Sequence, residues 1–338
     1  MSTVNNNITY SGNQATEILL TPLVNRAVGI SDFRVIFDVT GKTRVPSLSG
    51  MQKTARDGAN CSTTETGTVT VSDYSLDPKP VVHNFGFCKD EFKPSYLAGD
   101  FPANSNDFTG TELLEAIEQY AGEGVSNDLY DILFWGNASS STAFETYLSD
   151  HDVSGLYLAW DGGANMKQAS DMAAGLATAF ATGAAATLGT DEARTIMENL
   201  IVDSPLELDQ RDDKVFHVSR NVYQNLRQSL SGYSTNAGNA LRVVPSEVEG
   251  GGEIMTYQGI PVVKHSRWDS VFTANSVLGF NTFIVLTVNA NNVIAIDGTD
   301  ASLTTWYSID DDKVKMRANY EIDTNINFDS LYIAYKNV

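Results

Sequence analysis

An α+β fold is predicted by three observations. One long helical pattern fills Thr111–Trp135, the last third of the chain is dense in strand patterns, and helix–strand–helix patterns lie between them. In TELLEAIEQYAGEGVSNDLYDILFW the apolar residues Leu114, Ile117, Ala121, Val125, Leu129 and Ile132 step by threes and fours, the period of an α-helix. At 1.5 Å rise per residue such a helix spans roughly 35 Å. Gly122 and Gly124 each cost about 1 kcal/mol against Ala, so a bend or break is expected there. The opposite face carries Glu112, Glu115, Glu118, Glu123, Asp128 and Asp131, and no Lys or Arg occurs from Pro94 to Met166. An apolar stripe with an acidic back suits a scaffold better than an active site.

Taken in order, Met1–Ser31 is rich in Asn and Thr, with one hydrophobic patch at Ile18–Val24. It reads as an extended arm that orders on something else. Phe33, Val35, Phe37 and Val39 then share one face of a strand. Lys42–Lys93 has short strand candidates, Gly67–Val71 and Pro80–Asn84, and few large apolar residues. Arg34–Lys93 holds eight basic and seven acidic residues, leaving fourteen of the 22 basic and thirty-five of the 42 acidic residues elsewhere. Two readings stand side by side: an arm laid across a neighbouring subunit, or a β-rich insertion packed on its own domain.

After the long helix, Gly136-Asn137 is a stop signal, Ala143–Leu148 a short helix or strand, and Val153–Ala159 a strand. Thr190 caps a helix whose stripe is Ile196, Met197 and Leu200. Lys214–Val218 is a strand, and Ser219 caps the helix of Val222, Tyr223, Leu226 and Leu230, closed by Gly232. Glu253–Tyr257 and Gly259–Val263 follow, the second an edge or bulged strand because of Pro261. Thr282–Val288 and Val293–Ile296 flank Asn289–Asn292, a hairpin signature. Val314, Met316, Ala318, Tyr320 and Ile322 alternate along one long strand, and Leu331–Tyr335 is the final one.

The 338 residues, 42% of them hydrophobic, suffice for one large or two small domains. A net charge of −20 speaks against a sequence-reading nucleic-acid binder, which needs a basic stripe for phosphates. Met1–Gly12 is polar and has no secretion pattern, and Met172–Thr190 is too rich in Ala, Gly and Thr for a membrane span. A soluble, cytoplasmic product without membrane contact is the expectation. Cys61 and Cys88 cannot make a disulfide framework; two free thiols and a facing pair both remain open.

Chemistry is sparse. His83, His151, His217 and His265 are scattered, without metal-ligand spacing. Phosphate loop, nucleophile elbow and dinucleotide fingerprint are all missing. Asp297–Asp300 and Asp310–Asp312 lack the ligand spacing of a calcium loop, so both read as solvated turns. The expectation is a non-enzyme with no cofactor and no metal.

The order of these pieces resembles a known family. A polar arm, a β-hairpin extension and a long acidic helix ending in Phe134-Trp135-Gly136-Asn137 lead the chain. Next come VFHVSRNVYQNLRQSL (Val215–Leu230) and MTYQGIPVVKH (Met255–His265), and the chain closes on Asp312–Val338. This is similar to the major capsid proteins of tailed bacteriophages with the HK-97 (Johnson) fold. Val81–Lys93 also resembles capsid proteins of Bacteroidetes-infecting, crAss-like phages.

The resemblance implies an N-terminal arm at 1–39, an extended loop at 40–93 and a peripheral domain at 94–188 whose spine helix is 111–135. It further implies an axial domain at 189–307 and C-terminal strands of the peripheral domain at 308–338. The implied function is self-assembly into an icosahedral head shell around double-stranded DNA, in a virion assembled in the host cytoplasm. Scaffolding, portal and decoration proteins would be its partners, and the acidic spine residues would face the lumen. The likeness also adds weight to a Cys61–Cys88 pair across the hairpin, without displacing two free thiols. An encapsulin-like shell loading protein cargo and a carbohydrate-binding or adhesive β-protein are the alternatives.

Overall fold

Two β-sheets pack on one long helix. The computed structural model describes residues 8–11, 33–49, 70–88, 112–136, 153–168, 171, 187–189, 191–231, 241–245, 253–274, 279–308 and 313–338. Ala143–Leu148, Thr190, Gly232 and Cys61 lie outside them.

The first sheet is built on a long strand pair, β12 (Asn292–Ser308) and β13 (Lys313–Ile326). β13 alternates because one face is buried: Val314, Met316, Ala318, Tyr320, Ile322 and Ile326 turn inward. β5 (Lys79–Cys88) pairs antiparallel with the other side of β13. β1 (Ile8–Ser11) and β2 (Arg34–Phe37) both line the far edge of β12. These two pieces of the expected arm therefore order on the chain's own sheet. β12 bulges once: Asp297 faces Glu321 and Ser302 faces Asn319, so residues 298–301 stand against one residue of β13.

β3 (Thr43–Ser49) and β4 (Thr70–Leu76) form a separate two-stranded ribbon. Its root is pinned where Tyr74 and Leu76 cluster with Val293 and Ala295 of β12.

α1 (Glu112–Trp135) runs unbroken through Gly122 and Gly124, so the expected break is not there. A Cβ at either glycine would meet no atom within 4 Å. The apolar stripe is buried from Ala121 onward, and from Leu129 to Trp135 every side of the helix is buried. A helix hydrophobic all round belongs inside.

Val153–Ala159 is a correction. Most of that stretch is helical, within α2 (Leu156–Asp161), with Leu156, Tyr157 and Trp160 buried. Gly155 lets the backbones meet; a Cβ there would lie 2.6 Å from Gly136 N and 2.7 Å from Phe134 C. Apolar runs this short carry no decisive period.

The second sheet has the order β6–β14–β11–β7–β10–β9–β8, with β6 at Met166–Gln168, β7 at Lys214–Ser219 and β8 at Leu241–Pro245. β9 is Glu253–Tyr257, β10 Ile260–His265, β11 Phe283–Val288 and β14 Tyr332–Lys336. β11 is an inner strand, third in that order, and all six residues are buried, as a strand covered on both faces requires. Phe283 and Val285 join α1, α2 and α6 (Trp268–Ala274) in one core. Ile284, Leu286 and Val288 join α3 (Glu192–Val202), α4 (Leu206–Asp209) and α5 (Arg220–Ser231) in another.

Three further expectations change. Asn289–Asn291 is a 3-10 turn, not a hairpin: β11 pairs in the second sheet and β12 in the first, so the turn carries the chain between sheets. β10 is an inner strand; Pro261 is tolerated because pairing with β7 begins only at Val262. Finally, β12 belongs to the first sheet and β14 to the second, so a division at 307/308 separates strands that pair.

Candidate functional site

The six acidic residues expected on one outward face of α1 divide. Glu112, Glu115 and Glu118 lie in the helix, but their side chains fall outside the described ones. Glu123 is half-buried and Asp128 exposed. Asp131 is a correction: it is 2% exposed and accepts two hydrogen bonds from Arg267, from Nε at 3.0 Å and from Nη2. Burial holds its carboxyl above the usual range, against the pull of Arg267. The acidic face therefore stops at Asp128, where the helix enters the core.

Asp128 instead lies 3.6 Å from Nδ1 of His83 on β5, whose Nε2 is 2.7 Å from the hydroxyl of Tyr320 on β13. Burial, then the Asp128 charge, raises the Tyr320 phenol far above its ordinary value. That phenol stays protonated, so the three groups tie α1 to the sheet and offer no nucleophile.

Cys88 ends β5 opposite Lys313 of β13, and its side chain is not among those described. The ribbon pairs Thr43–Ser49 with Thr70–Leu76, so Cys88 lies beyond it in the first sheet. No pairing with Cys61 can be placed.

Two scattered histidines do meet. His217 Nδ1 is 2.8 Å from His265 Nε2, His217 Nε2 is 2.8 Å from Asn289 Oδ1, and Tyr130 Oη bonds His265 Nδ1. Both imidazoles are buried, 0% and 2% exposed. Forty-eight residues separate the pair; only the adjacency of β7 and β10 brings them together. The mutual position of two strands is not written in local period, so sequence spacing missed it. No group of three or more His, Cys, Asp or Glu that could hold a metal occurs among the described residues.

One cleft of about 570 Å³ lies where the ribbon root meets α2, α4 and the β13–β14 turn, lined by Tyr74, Asp73, Glu207, Phe328 and Asp329 among others. Within it, at an exposed position, the Ser330 hydroxyl donates to the Glu207 carboxylate.

What the molecule does offer is surface for association. β5 is an open sheet edge of ten residues, among the described strands, and such edges are templates for pairing. The ribbon β3–β4 joins neither larger sheet, and a two-stranded ribbon alone is marginal in water. Val202 and Leu206, 76% and 70% exposed, flank the α3–α4 turn, and Phe37 is 59% exposed. None of the described helices is long and apolar enough to cross a membrane.

No protein-family model matches the chain. No curated protein sequence matches it either. Solved structures do. A chain of the satellite phage P4 procapsid including size determination (Sid) protein aligns at TM-score 0.59 and 10% identity, over 95% of this chain and 99% of that one. A chain of Gordonia phage Cozz aligns at 0.55 and 11% identity, over 92% and 86%. The capsid of a native GTA particle aligns at 0.50 and 14% identity, over 91% and 90%. Nearly the whole chain, both sheets and the long helix included, thus has the fold found in a phage procapsid and a GTA capsid.

Proposed function

We propose that the chain is the major capsid protein of a tailed phage, with the HK-97-like fold, assembling into the icosahedral shell that encloses double-stranded DNA. The observation that carries this is the end-to-end match with the P4 procapsid chain, 95% of one against 99% of the other. In this reading α1 is the spine helix and the first sheet with α1 is the peripheral domain. The second sheet with α3, α4 and α5 is the axial domain. The ribbon β3–β4 is the root of the extended loop that crosses a neighbouring subunit, which supplies the partner a lone ribbon needs. The acidic residues Glu112 to Asp128 of α1 line the lumen and repel packaged DNA, so that it slides. Scaffolding, portal and decoration proteins complete the particle, assembled in the host cytoplasm. The likeness of Val81–Lys93 to capsid proteins of Bacteroidetes-infecting, crAss-like phages belongs to the same reading.

Negative-stain electron microscopy of the full-length recombinant protein, beside its size-exclusion profile, tests it. Shells, tubes or rings of five or six are expected. Protein that stays monomeric at every concentration and ionic strength, alone and with its own phage's scaffolding protein, would overturn it. Particles that hold a protein cargo and no DNA would move the reading to an encapsulin-like compartment.

A further inference from the structure

We infer that Tyr130, His265, His217 and Asn289 form a proton-sensitive latch, which fastens the buried end of α1 to the second sheet and loosens as its buried imidazoles take up protons. The inference rests on the geometry of the single chain and holds whatever the chain assembles into.

The bonding pattern has one neutral solution. Asn289 Oδ1 can only accept, so His217 Nε2 carries the proton across the 2.8 Å contact. A neutral His217 then has Nδ1 as acceptor, and His265 donates to it from Nε2 over 2.8 Å. His265 Nδ1 is left to accept from the Tyr130 hydroxyl. Every donor faces an acceptor, from α1 through β10 and β7 to the end of β11.

An added proton enters this row only by reversing it and burying a charge. On His217 Nδ1 it would face the N–H of His265, which must move its own proton to Nδ1; Tyr130 would then have to turn its hydroxyl away. Tyr130 still accepts from that Nδ1–H, so the first proton reverses the row and leaves a charge buried in it; a second would face N–H to N–H across the 2.8 Å contact, break that link and set two cations side by side.

The surroundings do not welcome charge. Trp268 stacks on His265 at 4.3 Å, Phe134 lies 5.1 Å from it, and Phe33 meets His217 edge-on at 5.6 Å. The titratable and charged groups on the packed elements are few. Asp131 of α1 and Arg267 at the entry to α6 neutralise each other. Asp269 of α6 faces the first amides of α5, at Arg220 and Asn221. On β10, Lys264 lies over the Tyr223 ring. Burial, then His217, holds His265 well below the ordinary imidazole value. Stability from the neutral chain is therefore present above about pH 6.5 and lost as pH falls further.

Two measurements on the full-length protein test the latch. Nitrogen-15 NMR of the labelled histidines should find both imidazoles neutral and protonated at Nε2 at pH 7.5. Hydrogen exchange, corrected for intrinsic rate, should show protection in residues 130–135 and 262–268 falling at least tenfold between pH 7.5 and 5. That fall should vanish in the His217→Gln/His265→Gln variant and survive in Asp269→Asn. An Nδ1-protonated or charged imidazole at pH 7.5, a flat wild-type profile, or an equal fall in the double variant would each overturn the inference. Should the double variant not fold, the tautomers and the wild-type profile decide by themselves.

Discussion

Replacing Asp131 by Ala would leave the Arg267 guanidinium without its two acceptors beside the core. Losing one partner of a buried pair costs several kcal/mol, and Arg267 is 36% exposed, so about 2–3 kcal/mol is expected. Asp128→Ala, at an exposed carboxylate, should stay within about 0.5 kcal/mol. Urea melts of the two variants separate these readings of neighbouring acids, and equal losses would refute the division of the helix face. Asp269 gives a pH signature. Burial pushes its carboxyl up to about 6, against opposing pulls from the α5 amides and Arg220. A folded state that keeps a proton the unfolded chain has released loses stability as pH rises from about 4 to 6. Asp269→Asn should therefore gain on the wild type across that window and keep a constant lead above it; curves parallel across the window itself would contradict the assignment.

At the scale of elements, α1 carries two glycines in open space. Gly122→Ala and Gly124→Ala should each stabilise the isolated chain by about 1 kcal/mol, seen as a rise in Tm of a few degrees. If the same variants fail to assemble, a neighbour occupies that space. The helix itself was legible because Ala121, Val125, Leu129 and Ile132 hold one period, as was β13 because Val314 to Ile322 alternate. α2 was not, since Leu156, Tyr157 and Trp160 fit a strand as well as a turn of helix. The Asn289–Asn292 signature also misled. It marks a sharp turn correctly, but whether the strands on either side pair depends on partners far along the chain, β14 and β13. His217 and His265 stayed invisible for the same reason, and Asp131 because its partner lies 136 residues away.

For the whole molecule, a net charge of −20 makes copies of the chain repel one another. Raising NaCl from about 50 to 500 mM shortens the screening length from roughly 14 to 4 Å. It should increase the yield of assembled particles in light scattering, unless ion pairs between subunits dominate, in which case yield falls. The nearly neutral Arg34–Lys93 segment is where such repulsion is weakest, and sequence alone located it. Which sheet each strand joins was beyond sequence, because the chain changes sheets between β11 and β12 and again between β13 and β14.

That last change of sheet has a consequence in time. β14 lies between β6 and β11, and it is made after every other described strand. Until residue 336 has left the ribosome, one side of β11 is bare and β6 has no neighbour. Domains form as their last element arrives during translation, so a nascent chain cannot present a finished second sheet to its neighbours on the same messenger. The second sheet is thereby the last part of the described fold to close.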